Sequence, residues 1–108
     1  MDIHALQQLL DRGRDGPLLR FSLGKGLLDA GDPALATRHL AQCVAQDPDY
    51  SAGWKLLGKA CLAAGDAAAA AQAWRRGIAV ATHNGDRQAE KEMTVFLRRA
   101  LKARATQA

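Results

Sequence analysis

The chain has 108 residues, 48% hydrophobic, 24% charged and only 5% aromatic, with a formal net charge of +4. These proportions fit one globular domain and argue against disorder, while abundant alanine and leucine with few β-branched residues favour helix over sheet. The mild positive charge suits acidic partners but is too diffuse to specify nucleic acid, and no apolar run reaches the roughly 20 residues that span a bilayer.

The first predicted element lies within residues 1–14. Ile3, Leu6, Leu9 and Leu10 form the apolar face of a short helix that ends near Gly13. The opening Met1-Asp2-Ile3-His4 has neither the basic nor the apolar region of a secretory leader, so a cytoplasmic location is expected. Two helices follow, over about 17–30 and 33–46. Gly31 supplies the left-handed residue that closes the earlier one. Asp32 caps the next, and Pro33 occupies a first-turn position where its missing N–H costs nothing.

The turn Asp47-Pro48-Asp49 leads into a second pair, over about 51–64 and 67–82, in which Gly65-Asp66 repeats the Gly31-Asp32 device. Connections this short make neighbouring helices antiparallel. After a break at Asn84-Gly85, Asp86 caps a last helix to about residue 105. Its apolar face is Ala89, Met93, Phe96, Leu97, Ala100 and Leu101. Its other face carries Arg87, Glu90, Lys91, Arg98, Arg99 and Lys102, the division expected of a helix that closes a stack.

The two pairs are copies. At an offset of about 34 residues, Leu23-Gly24-Lys25 falls on Leu57-Gly58-Lys59, and Ala30-Gly31-Asp32 on Ala64-Gly65-Asp66. Leu28 falls on Leu62, and Ala36 on Ala70. The small Gly24 and Gly58 let the paired helix approach, with Ala36 and Ala70 expected opposite them. Shifting Leu40 and Cys43 back by one period lands on Leu6 and Leu9, so residues 1–14 read as the second half of a preceding unit.

The pattern Trp54, Leu57-Gly58, Cys61, Ala70 and Trp74, echoed by Leu23-Gly24, Leu27, Ala36, Leu40 and Pro48, resembles the tetratricopeptide repeat. Arg20 stands where the family has tryptophan, which would open the first unit to solvent. Thr82 stands where it has the closing proline, so that helix should run on. The resemblance implies an all-α solenoid of about six helices forming one domain over 1–108. Its parts are a half-repeat at 1–14, repeats at 17–50 and 51–84, and a cap at 86–105.

His4, His39 and His83 lack metal-ligand spacing, and Cys43 and Cys61 sit where small apolar residues belong, without CxxC spacing. Neither catalysis, nor a cofactor, nor a metal, nor a small-molecule substrate is expected. The resemblance instead implies a concave groove lined by the first helix of each unit. It falls on Phe21, Lys25, Leu28 and Asp29, and on Ala52, Lys55, Lys59 and Leu62. Lysines beside apolar anchors favour an acidic peptide of a partner protein, with most of the affinity coming from the apolar contacts.

The asparagine of the family's terminal-carboxylate clamp is missing, since the chain's single asparagine is Asn84. The expected state is a monomer or weak homo-oligomer, and a self-associating structural subunit is the alternative function. An RNA-binding helical repeat is disfavoured by the scarcity of aromatics.

Overall fold

The computed structural model describes residues 2–107, which form six helices and no strand. They are α1 (Ile3–Asp11), α2 (Pro17–Asp29), α3 (Pro33–Gln46), α4 (Ser51–Ala63), α5 (Ala67–Asn84) and α6 (Arg87–Gln107). The all-α expectation holds. Each helix packs on the next in sequence, and α2 also meets α4 while α4 meets α6. The result is a slab 44 × 32 × 19 Å. Its thickness is that of two helix diameters, so α2, α4 and α6 form one layer and α3 and α5 the other.

One chemical device turns the chain at three corners. Gly31, Gly65 and Gly85 adopt φ of 86°, 87° and 73°, a region open to glycine at little cost. The following aspartate then acts at both ends of the corner. Its backbone N–H donates back to the carbonyls of Leu27, Cys61 and Ala81, each at 2.9 Å, completing the exiting helix. Its carboxylate accepts from the N–H of Leu35 (3.2 Å), Ala69 (3.0 Å) and Ala89 (3.1 Å), starting the next helix. With Thr82 in place of proline nothing stops α5 early, and it runs to Asn84 before Gly85 ends it.

Helix pairs close by setting a large side chain against a glycine. A Cβ at Gly24 would collide with Leu40, one at Gly58 with the Trp74 indole, and one at Gly77 with Met93 and Trp54. The side chains nearest to the missing Cβ atoms are thus Leu40 and Trp74, which the sequence reading of Ala36 and Ala70 opposite the glycines did not name. Those alanines, four residues earlier, are fully buried in the core. Trp74 donates its buried Nε1–H to the carbonyl of Lys55 at 3.1 Å, which satisfies its one polar atom and fixes the ring.

The flanks depart from expectation. Leu6 is buried, but Leu9 is 38% exposed, because the short α1 meets α2 alone and has no helix on its other side. In α6, Ala89, Met93 and Ala100 are buried and Phe96 and Leu97 are partly covered, whereas Leu101 is exposed near the end of the slab.

Gly58→Ala should therefore lower the unfolding free energy by about 1–3 kcal/mol, although alanine gains about 1 kcal/mol over glycine in helix propensity. Urea unfolding measures the change. A variant as stable as the parent would show that Trp74 is free to move aside.

Candidate functional site

The layer of α2, α4 and α6, here called the inner layer, carries the residues singled out in the sequence. Phe21 is half-buried on α2, its ring centroid 5.2 Å from that of Tyr50 at the start of α4. Lys25 is exposed. With Phe21, Ile3, Ser22 and Asp29 it lines a hollow of about 560 Å³ where α1 meets α2. Leu28 and Ala52 are half-buried, and Leu62 on α4 is 44% exposed.

The two lysines of α4 have partners on α6. Lys55 Nζ lies 3.5 Å from Glu92 Oε1, and Lys59 Nζ sits 5.0 Å over the Phe96 ring. Phe96 in turn packs on Trp74 with centroids 5.6 Å apart. Lys59 therefore leans along the wall towards α6. Of Lys25, Lys55 and Lys59, Lys25 alone makes no ion pair or ring contact among the described residues.

Glu92 and Phe96 belong to this wall, yet the repeat gave no sign of them. The Lys55–Glu92 contact spans 37 residues. A comparison at one repeat length aligns equivalent residues, whereas side chains on neighbouring helices reach one another about a turn further along.

A second cluster ties α2 to α3 and to the loop that precedes α2. Arg20 presents a fork to Asp15, with Nε 2.8 Å from one carboxylate oxygen and Nη2 2.9 Å from the other. Its Nη1 lies 3.2 Å from His39 Nδ1. Arginine has no acceptor, so Nδ1 must accept, which holds the ring in its neutral form. Arg20 replaces the tryptophan of the second unit, but its side chain is only 19% exposed, so the site is plugged by ions where solvent was expected.

The hydrogen bond from Arg20, aided by the Gln46 amide, holds the Asp15 carboxyl well below the usual carboxylate range. Burial, then the charges of Arg20 and Arg38, push His39 down against a weaker pull from Asp15. Burial pushes the Cys43 thiol up to about 11 and moves Cys61 in the same direction. Both thiols are protonated at neutral pH and are poor nucleophiles.

Among the described residues no cluster of three His, Cys, Asp or Glu side chains could hold a metal ion. No helix among them is long and apolar enough to cross a membrane.

Comparison with known proteins agrees with this geometry. The family model described as tetratricopeptide repeat matches residues 27–89. The TPR repeat-containing protein PA0015 of Pseudomonas aeruginosa is 62% identical over 104 residues, covering 96% of this chain and 99% of that protein. The solution structure of protein BPP2914 from Bordetella parapertussis superposes with a TM-score of 0.82 at 42% identity, covering 98% of this chain and 92% of that one. A tetratricopeptide repeat domain protein from Salinibacter ruber gives 0.73 at 24% identity over 80% of this chain and 87% of its own, and shares the fold.

The ionic plug generates a pH dependence. Folded His39 resists protonation, so the unfolded chain binds more protons, and stability should fall as pH drops through the ordinary histidine value of 6.5. The contribution of Asp15 is lost only below its ordinary 3.8, outside that window. His39→Gln keeps an acceptor for Arg20 without titrating. Urea unfolding between about pH 7.5 and about pH 5.5 should show a shallower decline for the variant; equal slopes would remove His39 as the cause.

Proposed function

The chain belongs to the tetratricopeptide-repeat family, and from that membership we propose that it is a non-catalytic module binding an acidic peptide segment of a partner protein along its inner wall. Protein partners are what the family suggests; the choice of wall and of ligand charge is the proposal. The observation that carries it is the hollow of about 560 Å³ in which exposed Lys25 stands beside half-buried Phe21. An unpaired ammonium next to an apolar ring is suited to a peptide offering a carboxylate and an apolar side chain.

The remaining wall extends this chemistry. Leu28 and Leu62 add apolar surface, and Lys55 and Lys59 are held in place by Glu92 and Phe96. A ligand carboxylate would compete with Glu92 for Lys55, which favours more than one acid in the peptide.

The same proposal takes residues 17–50 and 51–84 as the two full repeats, 1–14 as a half-repeat and 86–105 as the cap. A cytoplasmic setting is consistent with Cys43 and Cys61, which are buried and unpaired.

Lys25→Glu combined with Lys59→Glu tests the wall, since both side chains are exposed. Each surface ion pair contributes roughly 0–1 kcal/mol, so turning two attractions into repulsions should weaken partner binding about tenfold or more. The helical circular dichroism should stay unchanged. Affinity capture of parent and variant side by side, read by mass spectrometry, identifies the partner that drops out. Full retention of every partner would remove the inner wall as the binding face.

A further inference from the structure

The outer layer holds a larger opening than the inner one. No Cα of α3 lies within 8 Å of one in α5, although both pack on α4. The gap between them is a groove of about 670 Å³. Its floor is Leu57 and Cys61 of α4, nearly buried, with the half-buried Trp54 beside them. Its walls are kept low by Ala41 of α3 and Ala73 of α5, which leave unfilled the space that larger side chains would occupy.

The polarity of the lining is one-sided. Arg75 and Arg76 are the charged residues that border the groove, and no carboxylate does. Arg76 is held with its guanidinium 5.2 Å from the centre of the Trp54 ring. The ion pairs among the described residues are Arg20–Asp15 and Lys55–Glu92, so neither groove arginine has an acidic partner. The Trp54 Nε1–H is already donated to the carbonyl of Pro48 at 2.7 Å, which fixes the ring as a surface and leaves it no donor for a ligand.

We infer that this outer groove is a second docking site, distinct from the inner wall, for an acidic peptide of a partner protein. An aliphatic or aromatic side chain of the peptide rests on Leu57, Cys61 and Trp54, and a neighbouring carboxylate meets the Arg75 and Arg76 forks. Guanidinium groups match a carboxylate with paired, directed hydrogen bonds, and cation stacking on Trp54 pre-positions one of them. The groove is open to solvent, which suits a chain segment better than a small molecule needing enclosure. Its apolar floor and paired cations do not suit the extended run of phosphates on a nucleic acid. The inference does not rest on the inner-wall reading, because it uses none of the same residues.

The test is selection from a displayed random-peptide library on the full chain, followed by nitrogen-15 NMR with a selected peptide. Selected peptides should pair Asp or Glu with a bulky apolar residue and shift the signals of the Trp54 indole N–H and the Cys61 amide. Ala41→Trp with Arg75→Glu fills and reverses the groove at two exposed positions, and should weaken binding about tenfold or more. Arg75→Ala, which leaves the space open, should weaken it less. Lys25→Glu with Lys59→Glu should leave this binding unchanged, which separates the two sites. Circular dichroism confirms that each variant is folded.

The inference is overturned if selected peptides shift only the neighbourhood of Phe21 and Lys25, a result that would support the inner wall alone. Selection without acidic preference, failure to enrich any peptide, unchanged affinity in the filled variant, or displacement of the peptide by an RNA oligonucleotide would equally overturn it.

Discussion

Everything in this molecule depends on the notch left by a glycine where two helices meet. Gly24, Gly58 and Gly77 each lie where a Cβ would collide with a large side chain of the facing helix: Leu40, Trp74 and Met93. Glycine is costly within a helix, by about 1 kcal/mol relative to alanine. That cost is offset because burying one large apolar side chain contributes about 1.5–3 kcal/mol. The notch also fixes register, since a bulky side chain has one place to go. At Gly58 the consequences extend outward. The notch holds Trp74, Trp74 packs on Phe96, and Phe96 carries Lys59 over its face. A core packing constraint thereby sets the position of a charge on the inner wall.

The corners impose a second constraint, and it is local. Each Gly–Asp pair uses six or so backbone positions to end one helix and begin the next, with the glycine taking the left-handed conformation and the aspartate bonding in both directions. Because three corners share this chemistry, the glycine φ values lie within 14° of one another and the aspartate N–H bonds have the same length of 2.9 Å. The last corner is also tied across the stack. Asn84 Nδ2 donates to the carbonyl of Asp49 at 3.0 Å, and Ser51 Oγ lies 3.3 Å from Asp86 Oδ2. These contacts bind the α5–α6 corner to the turn between the two pairs, so that α6 is seated by polar bonds as well as by Met93 and Ala89.

Features governed by short stretches of chain were legible in the sequence, and those governed by side-chain reach were not. The Gly31-Asp32 and Gly65-Asp66 corners could be read because glycine and aspartate act within a few residues of themselves. The two glycine notches could be read as sites of close approach, but not the occupants. Choosing Leu40 and Trp74 over Ala36 and Ala70 depends on side-chain length and tilt, which periodicity does not encode. Lys25, Lys55 and Lys59 could be assigned to α2 and α4 from the repeat, but the contacts of Lys55 with Glu92 and of Lys59 with Phe96 could not, because those partners belong to a helix outside the clear repeat. Leu9 was assigned to an apolar face from its spacing, but a face is buried only where a neighbour covers it, and α1 has a single neighbour.

The two units differ where one carries Arg20 and the other Trp54, and this difference separates a charge used by the fold from a ring left at the surface. At the first position the guanidinium turns inward to Asp15 and His39, so that its charge is consumed by the fold. At the second the indole lies flat, its polar atom satisfied by Pro48, and its face available to Arg76. An ion pair satisfied by its own chain offers little to a ligand, because any newcomer must replace contacts already made and pay for exposing them. A ring with its donor satisfied and an arginine without a carboxylate offers apolar surface and charge together. The open groove is lined by Trp54 and not by Arg20, so it borders the unit that keeps its aromatic residue.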